Sequence, residues 1–595
     1  MSPRCREDVE PRVVRTFEDA AALLSPEPRV ALDLETGGLS PWKTPIHVIT
    51  LYGAESDTVA VLHYPRGQMV PGRVLRWLEE RPEIVMHNGV QFDALFLGSA
   101  GMSWEKPRIY DSLVAEKATL GVERWDVRVS LASTIARHLG RQIDKNADHG
   151  RWGDLVLDEA QLAYVKSDIR WLLDVQDAQL AKADSNKTRG CVEFEMGLAK
   201  PVIQMSMNGM PVDLGALQAY FDSRADRHEE VDRYLQEELG PINLQSSVQL
   251  KKALGVRFDP GMFPNTKAER LIEFSRLSGD VGKICSSILE WRSVRQRRNM
   301  LGEEWQSNIV DHGGVFKIHG RFWQIGTHTG RFTSTSPNLQ QIPRDMRGVF
   351  GGVPGWSMGK SDYAAIEVRV AAALSGDEEM IAAFNAGEDI HTLVASVAFQ
   401  KPPEAITPEE RKVAKAMSFT LLFGGGVPMF RSYVRIHGGV DLSMEVAQSA
   451  VDNFYARFQG INRMRLVAEN QARTSRAVVI AYPTGLRRVV TGYDLKASVL
   501  LNNTVQGTAA SGIKKALLEC EKAGIMEYVV APVHDEIVFF APTKIIEEVR
   551  RTVDECMIRG MRWALEGAPD IAIGVESTHG PSWSGLPENF KVTEA

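Results

Sequence analysis

The stretch "YVVAPVHDEIVFF", residues 528 to 540, sets His534, Asp535 and Glu536 at the centre of a run whose other members belong in a core. A carboxylate in apolar surroundings carries a desolvation cost unless a cation or a donor compensates it, so a divalent ion is one reading. A tight turn between two short strands, which tolerates His, Asp and Glu, is the other. The metal reading needs more carboxylates elsewhere. In "RVALDLET" (29 to 36), Asp33 and Glu35 stand two apart on a predicted strand, project from one face and can share divalent ions. Tyr164 and Asp168 lie four apart in "DEAQLAYVKSDIRWLLDVQDAQLAKA" (158 to 183), which reads as one long amphipathic helix, and so share a face too. "NGVQFD" (88 to 93) adds Asp93. This set fits two-metal hydrolysis of a phosphodiester: ions about 3.5 to 4 Å apart clamp the attacking water and the leaving oxygen, and Tyr164 orients that water.

A partner for Asp535 stands in "GWSMGKSDYAAIEVRVAAALSGD" (355 to 377), where Asp362 marks the point at which an apolar strand gives way to a helix. Far apart in sequence, Asp362 and Asp535 can meet on adjacent strands of one sheet as a metal-binding pair.

The elements that must position these groups divide the chain. With 595 residues and 44% hydrophobic content it is long enough for several cores. Residues 29 to 183 alternate strands and helices, an α/β pattern. From about 190 to 310 the pattern is helical and highly charged, "DSRADRHEEVDRYLQEEL" (222 to 239) being the clearest case, and reads as an extended arm. After 311 strands and helices mix again, with "KPPEAITPEER" (401 to 411) leading into a helix that starts near Pro408.

Cysteines Cys5, Cys191, Cys285, Cys520 and Cys556 are scattered and form no C-x-x-C pair, against a disulfide framework or structural zinc. No apolar run reaches the roughly 18 residues of a membrane span, and the start lacks a signal-peptide core, so a cytoplasmic protein with no membrane partner is expected. The net charge of -7 is unlike a nucleic-acid binder, but the local runs are not. No acid occurs from Arg411 to Val440, "WRSVRQRR" (291 to 298) holds four arginines, and six arginines between Arg463 and Arg488 face only Glu469. These runs point to a polyanion.

The order D-x-E, N-x-x-x-F-D, Y-x-x-x-D resembles DnaQ-like 3′–5′ proofreading exonucleases, which implies Asp33, Glu35, Asp93 and Asp168 as metal ligands and an active domain. "DYAAIEVR" resembles motif A of family A DNA polymerases, "RKVAKAMSFTLLFGG" (411 to 425) motif B and "VHDE" (533 to 536) motif C. "THTGRFTSTSPNLQQIP" (327 to 343) and "INLQSSVQL" (242 to 250) resemble further segments of that family, and the likeness spans the whole chain. It implies an α/β multidomain fold: an RNase H-like 3′–5′ exonuclease domain (1–187) followed by a right-hand polymerase. The hand comprises thumb (188–310), first part of the palm (311–372), fingers (373–480) and second part of the palm (481–595).

By the same resemblance, Asp362 and Asp535 hold two Mg²⁺ with the carbonyl of Tyr363, Glu536 supports them, and His534 contacts the primer terminus. Two further Mg²⁺ belong to the exonuclease site, and Mn²⁺ suits both. Arg411, Lys415, Phe419 and Phe423 recur every four residues, cationic first and aromatic later, which suits gripping phosphates and packing on sugar and base. The resemblance makes His391 a phosphate contact and Glu367 the steric gate against a ribose 2′-hydroxyl. Arg331, Asn338, Gln340, Asn502 and Gln506 become hydrogen-bonding partners of the primer-template. Phe423 replaces a frequent Tyr, Ala365 a frequent Gln and Ser498 an arginine, and Phe419 implies discrimination against dideoxynucleotides.

The expected function is template-directed DNA synthesis with proofreading, by a monomer acting on DNA primer-template and dNTPs, with helicase-primase and single-strand binding protein as possible replisome partners. A start directly at the exonuclease resembles bacteriophage replicative enzymes, and a host cytoplasm follows. The alternatives are a stand-alone exonuclease with a DNA-binding C-terminal half, a repair polymerase lacking the 5′-nuclease, a non-catalytic primer-template binder, and a single-subunit RNA polymerase.

Overall fold

The computed structural model describes residues 10–121, 128–143, 151–586 and 590–594, so Cys5 lies outside the described residues. The N-terminal lobe is built on a six-stranded mixed sheet in the order Arg12–Val14, Thr58–His63, Ile46–Gly53, Val30–Thr36, Glu83–Met86, Arg108–Asp111. Val30–Thr36 runs antiparallel to Ile46–Gly53 and parallel to Glu83–Met86. Its alternation separates two cores: Val30, Leu32 and Leu34 enter one, Ala31 the other. Asp33 and Glu35 share the face of Ala31, which is the face covered by Val165 and Ile169 of helix Glu159–Arg170.

The stretch 158 to 183 is two helices rather than one, Glu159–Arg170 and Leu172–Asn186. Trp171 separates them at φ -95°, ψ -2°, its N–H turned to the Ile169 carbonyl and its ring under the guanidinium groups of Arg141 and Arg170. The periodicity carries across this break, which is why the pattern reads as continuous. The first helix, fixed by a capping box between Asp158 and Gln161, is thereby free to ride over the sheet at the carboxylates.

Helices Leu214–Leu239, Ser247–Arg257, Ala268–Ser275 and Asp280–Met300 form the arm around a core of their own, including Leu235, Leu250, Leu271 and Ile288. Helices Arg189–Gly197 and Ala199–Asn208, which fall inside the charged segment, pack instead on the body. Glu195 makes a fully buried ion pair with Lys514, and Asn208 donates to the carbonyls of Met526 and Val529 at 2.8 and 2.7 Å. The arm tip reaches the helical lobe that spans 366 to 474: Arg276 donates to the Ile436 carbonyl at 2.6 Å, and Arg435 pairs with Glu273 at 3.2 Å.

The floor between arm and helical lobe is a five-stranded antiparallel sheet in the order Val529–Val533, Glu536–Pro542, Trp356–Tyr363, Gly574–Gly580, Lys591–Glu594. "YVVAPVHDEIVFF" is therefore a hairpin and not one strand. Val533 pairs with Glu536, and His534 and Asp535 form the two-residue turn, His534 at φ 58°. Helices Ala497–Lys522 and Ile546–Ala564 pack closely at Gly560, where a Cβ would stand 2.5 Å from the Gly512 carbonyl oxygen. Among the described residues no helix is long and apolar enough to cross a membrane.

Candidate active sites

The first centre lies where strand Val30–Thr36, helix Glu159–Arg170 and the start of helix Asp93–Ser99 converge. Asp93 is buried and accepts the Leu34 N–H at 2.9 Å. Burial, then the charge of Asp33, hold its carboxyl well above the ordinary range, against the pull of that N–H. The Tyr164 phenol is raised by burial and then by the charges of Asp168, Glu35 and Asp33. Tyr164 feels Asp168, Glu35 and Asp33, and Asp93 feels Asp33, so the structure brings these five groups near one another. Asp111 was not singled out in the sequence, yet it fixes the turn before Asp93 by accepting the N–H groups of Asn88 and Val90, both at 3.0 Å. The cue is its place as N-cap of helix Ser112–Leu120.

The second centre lies on the floor of the cleft. Asp362, the penultimate residue of strand Trp356–Tyr363, stands directly opposite Glu536, which follows the turn that carries Asp535. The Tyr363 N–H donates to the Asp535 carbonyl at 3.3 Å, tying turn to strand. Asp362 Oδ1 is buried and accepts no hydrogen bond among the described residues. Burial, then the charges of Asp535 and Glu536, push its carboxyl up to about 8, and burial raises Asp535 as well. Unpartnered carboxylate oxygen in such surroundings is what a divalent cation relieves, and the donors are all oxygen. Among the described residues no group of three or more His, Cys, Asp or Glu side chains is arranged so that it could hold a metal ion, in either centre.

The carboxylate of Glu536 is already engaged by the protein. Arg347 donates to it at 2.9 Å and the Trp583 indole at 2.7 Å, with Arg347 stacked on the Trp583 ring. Below the sheet Asp554 accepts from Ser361, Ser577 and Thr593, at 2.6, 3.0 and 2.9 Å, and so pins the strand of Asp362 to Gly574–Gly580 beside it and to Lys591–Glu594 one strand further on. No local pattern announces Arg347, Trp583 or Asp554, because their partners are remote in sequence.

Around the floor, helix Pro408–Leu421 starts with a Thr407–Glu410 capping box and Pro408 at its first turn. Arg411 and Lys415 are exposed on it, while Phe419 and Phe423 are half-buried along the same line. Gly424 at φ 72° closes the helix end. His391 is buried, and its Nδ1 has no hydrogen-bond partner among the described residues. Burial lowers its pKa to about 4, with Asp389 opposing and Lys415 and Arg411 reinforcing, so it faces the cations as a neutral ring. Glu367 is joined by Arg331 at 2.9 Å and by Gln506 at 3.1 Å, so three residues read separately from the sequence form one network. Asn502 lies one turn before Gln506 with a buried Oδ1 that has no partner among the described residues. Gln340 donates to the Pro532 carbonyl at 2.9 Å, and Asn338 accepts the Gln340 N–H at 3.0 Å. His534, Asp535, Asp362 and Gln340 line a cavity of about 620 Å³ that the arm closes with Arg297.

Fold and centres together define a phosphoryl-transfer protein with two separate acidic sites, one in an α/β lobe and one in a hand-shaped body. The description "DNA polymerase family A" matches residues 215–585 and "3'-5' exonuclease" residues 13–182. The chain belongs to DNA polymerase family A, and it is a DNA-directed DNA polymerase with a 3′–5′ exonuclease domain ahead of the polymerase domain. It is 29% identical to DNA polymerase I of Aquifex aeolicus over 96% of this chain and 98% of that protein. It is 27% identical to DNA polymerase I of Chloroflexus aurantiacus over 97% of this chain, but spans only 64% of that protein. The solved POL domain of Pol1 from M. smegmatis, in complex with DNA primer-template and dNTP, shares the fold. Its TM-score is 0.79 at 23% identity, covering 97% of this chain and 99% of that one.

Proposed function

We propose that the cleft extends a DNA primer by transfer of a deoxynucleotide from a dNTP, and that the N-terminal centre removes misplaced 3′ nucleotides. The observation that carries this is the buried Asp362 Oδ1, without a hydrogen-bond partner among the described residues, beside Asp535 in the cavity that the arm closes. Two Mg²⁺ held by Asp362, Asp535 and the Tyr363 carbonyl, and two more held by Asp33, Glu35, Asp93 and Asp168, would supply charge neutralisation and an activated hydroxyl or water.

The chain's own groups do the positioning. Arg411, Lys415 and neutral His391 bind the triphosphate. Phe419 and Phe423 pack on the sugar and base, and Glu367, braced by Arg331 and Gln506, fills the space a ribose 2′-hydroxyl needs. The same bracing links that gate to residues placed to read minor-groove acceptors of the primer terminus, together with Asn502, Asn338, Gln340 and His534. In the first centre Tyr164 orients the attacking water. The reading is the same for a replicative and a repair setting.

A 5′-labelled primer-template with Mg²⁺ tests it. Extension with the four dNTPs and 3′ shortening without them is expected; shortening in both lanes would contradict synthesis by the cleft.

A further inference from the structure

The basic stripe of helix Pro408–Leu421 has an acidic neighbour that no motif includes. Asp389 caps the facing helix Ile390–Phe399, its Oδ1 accepting the His391 N–H at 3.1 Å. Its Oδ2 accepts the Thr392 hydroxyl at 2.8 Å and also the Nε–H of Arg411, which lies on the other helix. The carboxylate is thus fixed by its own helix and engages only the side edge of the guanidinium. Nη1 and Nη2 of Arg411 make no hydrogen bond among the described residues, so the end of the fork stays open beside Lys415 and His391.

We infer that Asp389 is a positioning residue that sets Arg411 for the outer phosphates of a nucleoside triphosphate, an inference that rests on the triphosphate reading of this helix. A long arginine side chain on a helix surface samples many rotamers. A carboxylate gripping Nε removes that freedom without consuming the two terminal donors that match phosphate oxygens. Asp389 also keeps His391 and Arg411 in one register, because the same side chain holds the backbone of the first and the guanidinium of the second.

Asp389→Asn separates this role from folding. Asparagine caps a helix as well as aspartate and can still accept the His391 N–H, but it no longer offers Arg411 a charge. In steady-state incorporation by the full chain, D389N should raise the KM for dNTP about tenfold with kcat little changed, the loss of one charge-assisted contact. Shortening of a single strand should be unaltered. R411A should raise the same KM, and D389N with R411A should add nothing further. An unchanged KM in D389N while R411A is impaired, or full additivity in the double variant, would overturn the inference. An unchanged KM in R411A would instead remove the triphosphate reading, and with it the inference.

Discussion

The two acidic centres are held in place by different means. In the N-terminal lobe Asp33 and Glu35 share one strand face and Tyr164 and Asp168 one helix face, so local spacing already aims most of the site. In the cleft Asp362 is the penultimate residue of a strand and Asp535 sits in a hairpin turn, and neither aims itself. Their geometry depends on Asp554 beneath the sheet and on the Arg347–Glu536–Trp583 cluster beside it. A site written on single elements tolerates change around it, whereas one assembled by remote buried pairs inherits their fragility.

The comparison breaks first at the acids themselves. Asp535→Asn should cut the rate of synthesis about 10³-fold, and Asp168→Ala should do the same to shortening, measured by single-turnover assays. Next comes the scaffold: Arg347→Met leaves Glu536 a buried charge with only the indole, at a cost of about 3 kcal/mol. Calorimetry should show a lowered Tm, and synthesis should suffer more than shortening. A smaller effect belongs to the gate. Glu367→Ala removes the group that Arg331 and Gln506 brace, and should relax the preference for deoxy- over ribonucleotides by about 100-fold, read from the ratio of kcat/KM values. Phe419→Tyr should have the least effect, easing incorporation of dideoxynucleotides by about tenfold in competition with dNTPs. Equal use of both by the unaltered protein would refute the role given to Phe419.

Much of this was legible in the residues, and the limits are physical. Asp33 with Glu35, and Tyr164 with Asp168, could be paired because periods of two and of nearly four reveal a shared face, whereas Asp93 entered only through the segment NGVQFD. The helix beginning at Pro408 could be placed because Thr407, Pro408 and Glu410 carry its start signal. The break at Trp171 could not, since hydrophobic periodicity continues through it. The hairpin at His534 and Asp535 was one of two readings, because an apolar run does not say where it turns back. Arg347, Asp554 and Asp389 stayed hidden for a common reason: each acts on a partner that only the tertiary fold brings near. The arm's own core likewise emerges only once helices Arg189–Gly197 and Ala199–Asn208 are seen to pack on the body.

That the two centres work independently is tested most directly by assaying each disabled variant for the activity of the other centre. On a 5′-labelled primer-template with Mg²⁺, Asp535→Asn should still shorten the primer at the unaltered rate, and Asp33→Ala should still extend it when the four dNTPs are present. Loss of both activities in either variant, with the protein shown to be folded, would contradict the account.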